Sequence, residues 1–140
     1  MKNIYVIGVG LIGGSLALDI KNLHSETVVY GIDSCDSHLD EAIELGVIDN
    51  KATLQDIDKA DLVILSIPVD ASVKLLPQIL DLVSDSALVV DVGSTKQDIC
   101  KVVANHSKRR NFLAMHPIAG TEFSGPKAAL KGLFLNKTNI

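Results

Sequence analysis

The 140-residue sequence predicts an α/β fold, a doubly wound and mainly parallel sheet, on three observations. Runs rich in Val, Ile and Leu occur at 3–8, 27–32, 61–67, 86–92 and 111–115, nearly continuous in apolar residues as strands covered on both faces are. Between them lie segments of helical period at 11–23, 36–45, 69–83 and 95–108, and this alternation favours parallel pairing through right-handed crossovers. The third observation is a glycine-rich turn, Gly8-Val9-Gly10-Leu11-Ile12-Gly13, placed between the first run and the first helix.

In chain order, the first strand runs into that turn and the second ends at Asp33. The helix after it closes at Gly46, a C-terminal cap. Segment 47–60 is the least legible: Val47-Ile48-Asp49 reads as a short strand and the rest as loop or one turn. The strand at 61–67 leads into Ser66-Ile67-Pro68, and Asp70 or Ser72 is expected to open the next helix. Pro77 is expected to kink that helix or force a restart. After 86–92, Ser94 with Gln97 three residues on fits a capping box. The last full strand ends at His116-Pro117. A short helix is expected from Pro126 to Lys131, and Lys137 to Ile140 reads as the start of another strand, so the domain is expected to continue beyond residue 140.

Hydrophobic residues are 47% of the chain and charged ones 21%, the balance of one globular domain spanning 1–140. The net charge of −4, with cations scattered except at Lys108-Arg109-Arg110, gives no broad basic face, so nucleic acid is not an expected partner. That triplet reads as a helix C-terminus answering its dipole. Cys35 and Cys100 have neither metal-ligand spacing nor a disulfide framework, so no metal and a reducing compartment are expected. The run at 3–8 is too short for a secretory core, and no stretch of about 20 apolar residues is present to cross a bilayer. The expected location is the cytoplasm, without a membrane partner.

The glycine turn suits a dinucleotide, in a Rossmann-type arrangement. Gly8 permits the tight turn, Gly10 lets the backbone approach a pyrophosphate, and Gly13 lets the helix lie close on the sheet. The amides at the helix start, at Leu11 and Ile12, face the anion. Asp33, 20 residues after Gly13, is placed to accept hydrogen bonds from ribose hydroxyls and to repel a 2′-phosphate, which predicts NAD over NADP. No Lys or Arg lies between Lys21 and Lys51 to pair with that phosphate. A plainer reading makes Asp33 a turn former beside Ser34, with Asp36 as a helix cap. Ser66 and Pro68, on the same carboxyl edge, are candidates to line the cofactor; Pro68 also fits as a strand terminator.

His116 falls at the end of a later strand on that edge, and the following proline holds it extended. A neutral imidazole can take a hydroxyl proton near pH 7 while hydride departs to a cofactor. Ser94, on the same edge, is placed to orient the ring. The alternative is a packing histidine bonded to backbone. His24, His38 and His106 are assigned no chemical role.

Gly8 to Ser15 read GVGLIGGS, Asp91 to Lys96 read DVGSTK, and His116 to Gly125 read HPIAGTEFSG. In this order and spacing the chain resembles, over essentially its whole length, the prephenate dehydrogenase family of tyrosine biosynthesis, arogenate dehydrogenases included. The last motif is the specific one, because β-hydroxyacid dehydrogenases share the glycine turn without it. The resemblance implies NAD-dependent oxidative decarboxylation of prephenate to 4-hydroxyphenylpyruvate. It implies that His116 contacts the ring hydroxyl, that Ser94 aids that contact, that Glu122 lies at the site entrance and that Thr121 supports the loop or the substrate. Lys96 and Lys127 are candidates to meet a substrate anion, though a flexible point charge matches a carboxylate less well than a planar partner.

The resemblance further implies a second, mainly helical domain, absent from these 140 residues, which forms a homodimer and supplies an arginine to a substrate carboxylate. An exposed apolar patch is expected where it docks, and the chain alone is expected to bind NAD more readily than it turns over prephenate. Two other readings stand beside this one: a dehydrogenase for arogenate or another β-hydroxyacid, and a stand-alone NAD-binding module without catalysis, which has no need of His116 beside Ser94.

Overall fold

A computed structural model describes all residues, 1–140. Six strands form one sheet: β1 (Asn3–Ile7), β2 (Val28–Ile32), β3 (Asn50–Lys51), β4 (Leu62–Leu65), β5 (Leu88–Asp91) and β6 (Phe112–Ala114). Their order is β3-β2-β1-β4-β5-β6 and every pairing is parallel. The order reverses direction between β1 and β4, the switch point outside which open α/β sheets bind ligands.

The period-2 pleat divides the apolar strands between two cores. Tyr5, Ile7, Val63, Leu65 and Val89 face α3 (Val69–Leu82) and α4 (Gln97–Val102), which contribute Leu76, Ile79, Leu80 and Ile99. Ile4, Val6, Val29, Ile64 and Val90 face the opposite way, toward Ala17 of α1 (Leu11–Leu23) and Leu39 and Ala42 of α2 (Asp36–Glu44). Helices on both faces explain why the strands read as continuous apolar runs.

Several boundaries differ from the expectation. Val47 and Ile48 are buried core residues rather than a strand, and pairing begins only at β3, where Tyr30 and Gly31 meet Asn50 and Lys51. Residues Leu54–Lys59 form a 3₁₀ turn with a capping box between Thr53 and Asp56. Pro77 lies inside an unbroken α3, whose buried Leu76, Ile79 and Leu80 hold the helix to the sheet across the missing amide bond. Pro68 caps α3 in place of Asp70 or Ser72, and the Ser72 hydroxyl instead donates back to the Ile67 carbonyl.

Likewise α4 ends at Val102, and turns carry the chain on to a 3₁₀ turn at Arg109–Asn111. The basic triplet therefore lies beyond α4; Lys108 Nζ reaches the C-terminus of α3, donating to the Val83 carbonyl at 2.5 Å. Only Pro126–Ala128 of the expected tail helix is helical, as 3₁₀. The final residues pair antiparallel with the stretch after β6: His116 and Ile140 exchange two backbone bonds, and Ile118 N–H donates to Thr138. Large apolar side chains stand exposed at Leu23, Phe123, Leu135 and Ile140. No helix is long and apolar enough to cross a membrane.

Candidate active site

Backbone geometry alone dictates Gly8. Its φ is +91°, and a Cβ there would lie 2.2 Å from the Ser66 carbonyl oxygen. Gly13 is packed as tightly, its missing Cβ falling 2.2 Å from the Gly8 carbonyl. Gly10 differs: a Cβ would meet no protein atom nearer than Gly125 N at 4.0 Å, so nothing in the chain itself demands a glycine there. The open space lies beside the start of α1, where Gly10 is the N-cap without a side-chain cap. The N–H groups of Gly10, Leu11, Ile12 and Gly13 make no hydrogen bond within the chain. Four consecutive free amides at the positive end of a 13-residue helix, with room kept clear beside them, fit a diphosphate.

Asp33 takes the turn-forming role and also braces the glycine turn. Its Oδ1 accepts from Cys35 N at 2.9 Å, closing a turn, and its Oδ2 accepts from Val9 N at 3.2 Å, tying the end of β2 to the glycine turn. The same side chain borders a groove of about 510 Å³ walled by Ile32, Leu54, Ile67, Pro68 and Leu75. An apolar slot with one carboxylate at its rim suits a flat base and a ribose. Pro68 lines this groove and is also the N-cap of α3. Ser66 does not line the groove: its carbonyl and Cβ pack under Gly8 and Gly13.

Sequence reasoning passed over His38, whose Nδ1 stands 3.5 Å from Asp33 Oδ1. The signal was its place in the first turn of α2, directly after the Asp33 turn. Beside it, the Cys35 thiol is held below its ordinary range, chiefly by the Ser37 hydroxyl and then by the His38 amide.

At the other end of the same edge, β5 stops at Asp91 and β6 at Ala114, joined by a bond from Met115 N to Asp91 O. His116 follows. All six strands are parallel, so His116 and the glycine turn share one rim, three strand spacings apart, or about 14 Å. The His116 backbone is fixed by Ile140, and its imidazole has no hydrogen-bond partner within the chain. That argues against the packing alternative, in which the ring is bonded to backbone.

Ser94 lies on the same rim, exposed, but forms neither the expected capping box nor a hydrogen bond to His116. The reason is local: α4 starts at Gln97 with Lys96 as its N-cap, which leaves Ser94 two residues too early to reach the first helical amides. Lys96 is already engaged, its Nζ bonded to the Asp91 carboxylate and to the Met115 carbonyl. Lys127 is paired with Glu41 at 3.0 Å. Thr121 and Glu122 line an open hollow of about 610 Å³ with Phe123 and Leu130, and Thr121 Oγ1 accepts from Phe123 N. Asp91 was not singled out from sequence, although a carboxylate closing an otherwise apolar strand was the available signal.

A family model described as the nucleotide-binding domain of prephenate dehydrogenase matches residues 16–140. The glycine turn precedes that span and rests on its own geometry. A prephenate dehydrogenase of Lactococcus lactis is 39% identical, over 97% of this chain and 39% of that protein. The crystal structure of prephenate dehydrogenase from Aquifex aeolicus superposes with a TM-score of 0.91 at 31% identity, over 99% of this chain and 51% of that one. The same enzyme has been solved in complex with hydroxyphenyl propionate and NAD+, with a TM-score of 0.82 at 30% identity over 99% of this chain and 49% of that one. A Synechocystis arogenate dehydrogenase superposes at 0.83 with 27% identity, over 98% of this chain and 48% of that one. The chain therefore spans about half or less of the length of these relatives.

Proposed function

This chain belongs to the prephenate dehydrogenase family, as its nucleotide-binding domain, and from that premise we propose that the complete protein carries out the NAD-dependent oxidative decarboxylation of prephenate in tyrosine biosynthesis. The products are 4-hydroxyphenylpyruvate, carbon dioxide and NADH. The observation that carries this reading is the shared rim: four free amides and a nucleotide-sized groove at one end, an unpartnered imidazole at the other. The nicotinamide cofactor, when bound, supplies a hydride acceptor.

The amides of Gly10 to Gly13 hold the diphosphate, while Ile67 and Pro68 wall the adenine. Asp33 accepts from the ribose hydroxyls, and its charge disfavours a 2′-phosphate, so NAD is preferred over NADP. Hydride leaves the hydroxyl-bearing ring carbon of prephenate as the bond to the departing carboxylate breaks and the ring becomes aromatic. His116 takes the hydroxyl proton as hydride leaves, relieving the positive character that builds on that carbon, and returns it to the phenolate once carbon dioxide has departed. Ser94 stands on the same rim to contact the substrate, and Thr121 and Glu122 flank its entrance. The arginine for the substrate carboxylate, and the homodimer contact, belong to the remainder of the protein, which works in the cytoplasm.

The test is His116→Ala in the complete protein. Turnover should fall about 10²–10⁴-fold, the usual contribution of a positioned acid–base group, with NAD affinity unchanged by calorimetry. Turnover equal to the parent would remove His116 from the chemistry. The likeness to an arogenate dehydrogenase favours one competing substrate, and parallel rates on prephenate and arogenate decide between them.

A further inference from the structure

Asp91 is 1% exposed, and its Oδ1 is buried without a hydrogen-bond partner. Its Oδ2 accepts from Gly93 N at 3.0 Å and from the Lys96 ammonium. That ammonium also donates to the Met115 carbonyl at 2.6 Å. A buried carboxylate is retained only when a cation and further donors offset its desolvation. Here the cation that does so spans two strands, from the end of β5 to the residue directly before His116.

We propose that Lys96 is a positioning residue. Anchored by Asp91, it clamps the Met115 carbonyl and fixes the backbone from which the His116 imidazole projects. This rests on the proton-acceptor role proposed above for His116 and reassigns Lys96 from the substrate contact suggested by its motif. The side chain is 29% exposed, so it lies at the rim, but its reach is spent on protein oxygens. At Met115 the backbone N–H donates to the Asp91 carbonyl and the carbonyl accepts from Lys96 Nζ, and at His116 the N–H donates to the Ile140 carbonyl while the His116 carbonyl accepts from Ile140 N. With these in place the histidine leaves β6 on a backbone tied at consecutive residues, and Lys96 supplies the one side-chain tie among them. The imidazole then needs no hydrogen bond of its own to be aimed.

The single variant Lys96→Met leaves the Asp91 carboxylate buried with its charge uncompensated and is expected to fold poorly. The working variant is therefore the double change Asp91→Asn with Lys96→Met in the complete protein, which removes both charges and the clamp together. Its kcat on prephenate should fall about 10–100-fold while KM stays within about threefold, because misplacement of an acid–base group is felt in the transition state. In protein carrying 13C-labelled histidine, the His116 ring signal, identified by its loss in His116→Ala, should shift or broaden. A KM raised tenfold or more with kcat intact would overturn the proposal and return Lys96 to substrate binding. Unchanged kinetics in a folded double variant would overturn it as well, leaving a purely structural ion pair. A ring signal that does not move would overturn it whatever the kinetics. If the parent protein shows no turnover of prephenate, the reaction assigned above fails, and the ring signal still decides the clamp.

Discussion

Asp33 joins two jobs in one side chain. Its carboxylate secures Val9 of the glycine turn and Cys35 of its own turn, at 13% side-chain exposure, while facing the groove that suits an adenosine. Charge-assisted hydrogen bonds contribute about 1.5–3 kcal/mol each, which corresponds to roughly 10–150-fold in affinity. Asp33→Asn keeps an acceptor for the turn and discards the charge. Calorimetric titration should show NAD binding weakened about 10–100-fold and the gap between NAD and NADP narrowed. An unaltered preference between the two cofactors would reduce Asp33 to a turn former. The turn role does not exclude the ribose contact proposed for Asp33, because the two oxygens of a carboxylate offer about four acceptor sites and the turns occupy only part of them.

Among the elements, β1 depends on a charge at its base. Asp61 Oδ2, just before β4, accepts from the backbone amides of Lys2 at 2.5 Å and Asn3 at 3.1 Å. The Lys2 amide first, and the Asn3 amide next, hold its carboxyl below the ordinary carboxylate range. A depressed carboxyl stabilises the fold fully above its unfolded pKa near 4, and that contribution disappears as pH falls through the lower folded value. Asp61→Asn should therefore melt below the parent at pH 6, with the difference closing progressively toward pH 2. Thermal scans across that range check it, and a pH-independent gap would mean that the charge is irrelevant.

The elements also show what a one-dimensional pattern can carry. Five strands, the glycine turn and the rim bearing His116 were legible because burial on both sheet faces writes continuous Val, Ile and Leu into the sequence. Residues 47–60 were not. Val47 and Ile48 are apolar because they fill the core beneath β2, and β3 is two polar residues whose pairing no hydrophobic signal announces. The region before α4 misled for another reason. Ser94 and Gln97 match a capping box in spacing, but the Lys96 side chain is drawn to Asp91 and Met115 across the strand ends, and the helix starts after it. Contacts of that kind, 19 residues apart, are outside the reach of local pattern.

In the molecule as a whole, the two cores share the strands that separate them. Ile4 and Tyr5, or Ile64 and Leu65, are neighbours in sequence and lie on opposite faces. Damage to either core should then be felt by both. Leu76→Ala on one side and Ile64→Ala on the other should each cost about 2–5 kcal/mol and lower the urea midpoint without altering its slope. The stacked pair Tyr5 and Tyr30, with ring centroids 4.7 Å apart, provides an intrinsic fluorescence probe in a chain that has no tryptophan. Its transition should coincide with that seen by far-ultraviolet circular dichroism for both variants. Two separated transitions would mean that the faces unfold independently.

The pairing of His116 to Ile118 with Thr138 to Ile140 makes the stretch from Ala119 to Lys137 a closed excursion that departs and returns at one point. Loop closure grows costlier only slowly with length, by about 0.6 kcal/mol per doubling. Insertions at its exposed tip, Thr121 to Ser124, can therefore lengthen the excursion while the pairing at its base keeps the His116 backbone seated.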